Sequence, residues 1–135
     1  MLLLPRRWAH RLPNEDAVLA LTGEDAEAVP AWERALAEYT GAAHAVAISS
    51  GRQGMRLIFE YLGARDGEVI VPAYTLADLI PLLQGIGLRA VPAEIDAATL
   101  NVTAESVAAR MNENTRAVLV LHAFGAPAPI VEIAE

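Results

Sequence analysis

Short apolar runs of β type alternate along this chain with stretches of helical period, and that alternation limits the fold more than any single motif. Val69-Ile-Val71, Leu88–Val91 and Arg116-Ala-Val-Leu-Val-Leu121 read as strands, with an earlier one around Ala45–Ile48. Between them, Trp32, Ala35, Leu36 and Tyr39 share one helical face after Pro30, and Gly41 is a C-terminal stop. Met55, Ile58, Phe59 and Leu62 mark a helix from about Arg52, while Leu76, Leu79, Ile80 and Leu83 mark another that Gly85 and Gly87 end. Thr103–Met111 opens on a cap-type residue and carries Glu105 in its first turn. Such an order predicts an α/β fold with three layers, a mostly parallel sheet with helices on both faces. Arg116–Leu121 is expected to be buried on both sides.

In open α/β sheets, ligands sit beyond the carboxyl ends of the strands. Those ends predict a site assembled from Ser49–Gln53, Pro72–Leu76, Glu94–Asp96 and His122–Gly125. The first group is the most suggestive, because Ser49-Ser-Gly-Arg-Gln-Gly54 joins an apolar run directly to an amphipathic helix. There Gly51 offers dihedral freedom and close backbone approach, and the amides of Arg52 and Gln53 would be uncapped donors at a positive helix end. Two readings stand side by side: an anion cradle, and a serine-capped helix that needs no ligand. A P-loop is excluded, because all 10 basic residues are arginine and the motif requires a lysine. The dinucleotide fingerprint is weak with only Gly51 and Gly54 in place.

Composition narrows the classes further. The chain has 135 residues, no cysteine and a net charge of −7, which argues against a disulfide framework and against a broad nucleic-acid or membrane face. Met1-Leu-Leu-Leu4 followed by Arg6-Arg7 reverses the order of a signal peptide, so a cytoplasmic location is the expectation. Residues 1–28 read as a loosely structured lead-in with one short helix, its acids a solvated surface. No His and carboxylate spacing suits a metal, and no Ser/His/Asp set carries a nucleophile motif. Asp96 reads as a turn cap, Asp78 as a helix cap or dipole partner, and His122 alone as structural more readily than catalytic.

Four segments together resemble the DegT/DnrJ/StrS family of pyridoxal-phosphate (PLP) sugar aminotransferases. They are Trp32–Gly54, Gly67-Glu-Val-Ile-Val-Pro-Ala-Tyr-Thr75, Ala93-Glu-Ile-Asp-Ala-Ala-Thr-Leu-Asn101 and Asn114-Thr-Arg-Ala-Val-Leu-Val-Leu-His-Ala-Phe-Gly-Ala-Pro127, in matching order and spacing. The resemblance implies that residues 29–135 are the amino-terminal part of a fold-type I large domain, with PLP as cofactor. It carries the phosphate site onto Gly51, Arg52 and Gln53, although the family usually has threonine or a small residue where Arg52 stands. The family's ring-stacking aromatic is here Leu76, so stacking falls to apolar contact or to Tyr74. His122–Gly125 match a His-x-x-Gly strand end near the cofactor.

The implied activity is amino transfer from an amino acid to a nucleotide-linked keto sugar, as in polysaccharide biosynthesis, by a homodimer. The family's Schiff-base lysine and its aspartate at the pyridine nitrogen lie beyond Glu135, so this chain is expected to be an inactive amino-terminal piece. The alternatives are a sugar dehydratase, with histidine for that lysine, and a truncated chain without catalysis.

Overall fold

A computed structural model describes residues 26–135. Residues 1–25, which include Met1–Leu4 and most of the expected lead-in, lie outside the described residues. The chain forms two compact units that divide after Ala47.

In the first unit, helix α1 spans Ala28–Thr40. Pro30 fits its first turn, where the missing N–H costs nothing. Gly41 ends it with φ 68°, a left-handed conformation that glycine adopts without a Cβ penalty. The Ala42 amide then bonds back to the Ala37 carbonyl at 3.0 Å. Glu33 Oε1 accepts the Ala47 amide at 2.6 Å, fixing the segment that follows the helix.

The second unit holds the sheet. Helix α2 (Gly51–Tyr61) precedes β1 (Gly67–Pro72), α3 (Leu79–Gly85) and β2 (Leu88–Ala93). Helix α4 (Ala104–Ala108), β3 (Thr115–Val118), a 3-10 turn at Ala123–Gly125 and α5 (Ile130–Ala134) complete it. The three strands are parallel in the order β2-β1-β3. Pairing with β2 runs unbroken from Gly67↔Leu88 to Pro72↔Ala93, whereas pairing with β3 shifts register between Glu68 and Val69.

Strand alternation explains the layers. Val69 and Val71 join Phe59 of α2 and Leu83 of α3 in one buried cluster. Ile70, pointing the other way, joins Ala93, Val102 and Val107 of α4, with Ile133 of α5 against them. A central strand apolar on both faces is thus covered on both faces, as the expected three-layer fold requires. Among the described residues, no helix is long and apolar enough to cross a membrane.

Three expectations need correction. Ala45–Ile48 forms no strand. Val46 and Ile48 are 73% and 44% exposed, and no neighbouring backbone among the described residues offers a ladder, so β propensity alone cannot make the element. Arg116–Leu121 is not a strand buried on both faces: β3 ends at Val118, sits at the sheet edge and is half-buried. Helix α3 begins at Leu79, which leaves Leu76 outside it in the preceding loop.

At the opposite end of the sheet, Glu68 is buried yet satisfied. It pairs with Arg89 of β2 and accepts from Asn112 Nδ2 at 2.9 Å, linking β2 to the turn that precedes β3. Arg89 itself is largely exposed, so its charge stays hydrated and only the Glu68 carboxylate bears the desolvation cost of burial.

Candidate functional site

Strands β1 and β2 end at Pro72 and Ala93, and β3 at Val118, so the loops 73–78, 94–103 and 119–129 share the carboxyl end of the sheet. Three side-chain links tie these loops and the start of α2 together. Arg52 Nη1 meets Asp78 Oδ2 at 3.0 Å, joining the first turn of α2 to the residue before α3. The Tyr74 and Phe124 rings lie 6.1 Å apart and tilted by 35°. Asn101 Oδ1 accepts the Ala123 amide at 2.9 Å. Of the four groups expected from the sequence, the Tyr74–Phe124 contact joins two directly, while the other two links reach Ser49–Gln53 and the 94–103 loop through Asp78 and Asn101.

The cradle itself differs from expectation in two details. Gly51 does not have positive φ; it is an ordinary first residue of α2, and a Cβ built on it would meet nothing within 4 Å. What glycine provides there is open space above the backbone rather than a special dihedral. The Gln53 amide is not free either: Ser50 Oγ accepts it at 3.3 Å as a helix cap. The amides of Gly51 and Arg52 precede the first intrahelical bond and keep their donors available. Gln53 instead contributes its side chain to a hydrogen bond with Ser49 Oγ.

Arg52 does not offer its guanidinium to this space, because Asp78 holds it; Asp78 in turn makes no side-chain cap on α3. An exposed pair of this kind contributes at most about 1 kcal/mol, so it aligns two helix starts more than it stabilises them. Leu76 is 71% exposed and Tyr74 also reaches solvent, its ring against Phe124. Phe124 takes φ 50°, a left-handed conformation that costs a bulky residue about 1–3 kcal/mol and that the surrounding loop must hold. His122 Nδ1 accepts the Ala128 amide at 3.0 Å.

Two residues are given no role of their own by the sequence pattern. Thr75 Oγ1, in the loop after β1, is buried and has no hydrogen-bond partner. Asn101 is 3% exposed and spends its amide on the carbonyls of Ala126 and Pro127, at 3.0 and 3.2 Å. Neither fact has a local sequence signal, since both follow from which loop packs on which. A cleft of about 560 Å³ between α2 and α3 touches Arg52 and Gln53, but it opens along the outer flanks of those helices and includes none of the three strand-end loops. Among the described residues no group of side chains could hold a metal ion.

Asp96 caps its turn as expected. The Thr99 amide at 2.8 Å, the Thr99 hydroxyl at 3.0 Å and the Ala98 amide at 3.0 Å hold its carboxyl below the ordinary aspartate value. A depressed folded value means that the contribution is complete above the unfolded value, about pH 4, and is lost as pH falls through the folded one. Asp96→Asn should therefore flatten the acid limb of stability against pH. Urea midpoints measured from about pH 5 to about pH 2 would show it; an unchanged slope would remove Asp96 from that limb. Glu105, lowered by its own backbone amide and by Thr103, leaves a residual slope.

The chain is similar to known proteins in both sequence and fold. The model of the DegT/DnrJ/EryC1/StrS aminotransferase family matches residues 19–135. The chain is 36% identical over 108 residues to 3-amino-5-hydroxybenzoate synthase of Amycolatopsis mediterranei (strain S699), a match covering 79% of this chain and 28% of that protein. S. venezuelae DesV, solved in complex with a ketimine intermediate, superposes with TM-score 0.78 at 26% identity, over 88% of this chain and 34% of its own. GDP-4-keto-6-deoxymannose-3-dehydratase, solved with a trapped PLP-glutamate geminal diamine, gives 0.70 at 31% identity, over 78% and 29%. This chain thus spans under a third of the length of the curated relative it matches. With the fold and the sequence in agreement, the chain belongs to the DegT/DnrJ/EryC1/StrS aminotransferase family.

Proposed function

We propose that this chain supplies the phosphate cradle and part of the pocket wall of a PLP enzyme. In the complete protein, a homodimer on this reading, an amino group passes from an amino-acid donor to a keto group on a nucleotide-linked sugar. Pyridoxal phosphate is the cofactor of the family. The observation that carries the assignment to these residues is the buried, unpartnered Thr75 hydroxyl, in a loop that Arg52 and Asp78 tie to the open start of α2. A buried hydroxyl without a partner costs roughly 1–3 kcal/mol, which a bound anion would offset.

Bound there, the cofactor supplies a ring that withdraws electrons from the carbon carrying the amino group. The residues of this chain bind and orient it. The Gly51 and Arg52 amides take phosphate oxygens, the Thr75 hydroxyl donates a further bond, and the positive end of α2 favours the charge. Leu76, Tyr74 and Phe124 supply apolar surface that keeps water from the ring. With no lysine in the chain, none of these residues is the family's proton-moving amine. A sugar dehydratase is the second reading, favoured by the 31% identity to the keto-deoxymannose dehydratase. The two readings share this cradle and part at the residue that replaces or keeps the downstream lysine.

Equilibrium dialysis of PLP against the purified chain tests the cradle. Wild type should bind saturably and show no transamination by itself. Thr75→Val should raise ligand-free stability by about 1 kcal/mol while weakening PLP binding about tenfold, because one change removes both the orphan and the donor. Absent saturable binding, or a valine variant that binds as wild type does, would sink the assignment.

A further inference from the structure

The loop after β3 is held by two side chains from opposite directions. From the 94–103 segment, buried Asn101 makes three hydrogen bonds to it: Oδ1 accepts the Ala123 amide, and Nδ2 donates to the carbonyls of Ala126 and Pro127. From within the loop, His122 Nδ1 accepts the Ala128 amide at 3.0 Å. These bonds use both polar atoms of the Asn101 side chain, and its two donations fix the residues immediately before Ala128.

A nitrogen that accepts a backbone amide cannot carry a proton. In the neutral ring the proton must then sit on the other nitrogen, so Nε2 is a hydrogen-bond donor. We propose that Asn101 is a positioning residue for His122: by clamping residues 123–127 it keeps the Ala128 amide on Nδ1 and fixes the ring as its Nε2–H tautomer. His122, an exposed residue at the carboxyl end of the sheet, thereby presents a donor for an anionic oxygen of the bound group rather than a base. That last role rests on the PLP reading above, whereas the tautomer does not.

The experiment is a two-bond proton–nitrogen spectrum of the histidine rings of the full chain at alkaline pH, with His122 assigned from His122→Asn. Wild type should show the Nε2–H pattern, and hydrogen exchange should show protected Ala123 and Ala128 amides. Asn101→Asp keeps the acceptor for Ala123 and loses both donations. It should retain protection at Ala123, lose about tenfold at Ala128, and give a mixture of tautomers, while the β1 amides stay protected. An Nδ1–H ring in wild type overturns the proposal without any variant. So does a folded aspartate variant that keeps a pure Nε2–H ring, and so does one that loses β1 protection, which would make Asn101 a core residue. Added PLP should shift the His122 Nε2 proton. PLP bound without that shift overturns the donor role, and PLP that fails to bind overturns the proposed function while the ligand-free spectra still decide the tautomer.

Discussion

Ile70→Ala should destabilise the fold by about 2–5 kcal/mol, read as a lowered urea midpoint with little change in slope. Ile70 lies at the middle of the central strand, is 0% exposed, and packs with Ala93, Val102 and Val107 on the α4 side of the sheet. Removing three carbons there loses the transfer free energy and leaves a cavity that a central strand bonded on both sides cannot collapse. Domains of this size have about 5–15 kcal/mol in total, so the variant should sit close to its unfolding limit. A loss below about 1 kcal/mol would show that the α4 layer does not pack on the strand in solution.

Gly51→Val should do the reverse: leave the fold nearly untouched and weaken PLP binding about 10- to 100-fold. Gly51 is an ordinary first helical residue, and a Cβ placed on it meets no atom of the described residues within 4 Å, so valine should be accommodated. Helix propensity shifts stability by no more than about 1 kcal/mol, and less at a first turn. The same side chain would stand over the amides of Gly51 and Arg52. Each hydrogen bond to a charged group contributes about 1.5–3 kcal/mol, and losing one corresponds to roughly the stated range at 1.4 kcal/mol per decade. Circular dichroism checks the fold and dialysis checks the ligand. Full PLP affinity in a folded valine variant would remove the start of α2 from the site.

The regular elements were legible where local pattern and tertiary environment agree. The Val69–Val71 run is β1 because three consecutive β-branched residues suit a strand covered on both faces. Thr103 caps α4 through a reciprocal pair with Ser106, a signal carried within four residues. Where the environment decides, pattern misled. Ala45–Ile48 has the composition of a strand but, among the described residues, no strand to pair with, and the apolar run after Thr115 is an edge strand that stops at Val118. Ile58 and Leu62 follow the helical period of α2 yet remain exposed beside buried Phe59, since periodicity defines a face but not what lies against it.

The site divides along the same line. Sequence alone determined the order of the four segments read as a site, that two serines and a glycine open the helical run from Arg52, and that no lysine is present, because these depend only on order and identity. Tertiary structure alone decided that the Gln53 amide is capped, that Arg52 is held by Asp78, that the Thr75 hydroxyl is buried without a partner, and that Asn101 clamps the His122 loop. Hydrogen-bond satisfaction is a property of which distant loops meet, and Asn101 and Ala126 are 25 residues apart. No local pattern encodes that meeting; the packing of loops at the end of the sheet does.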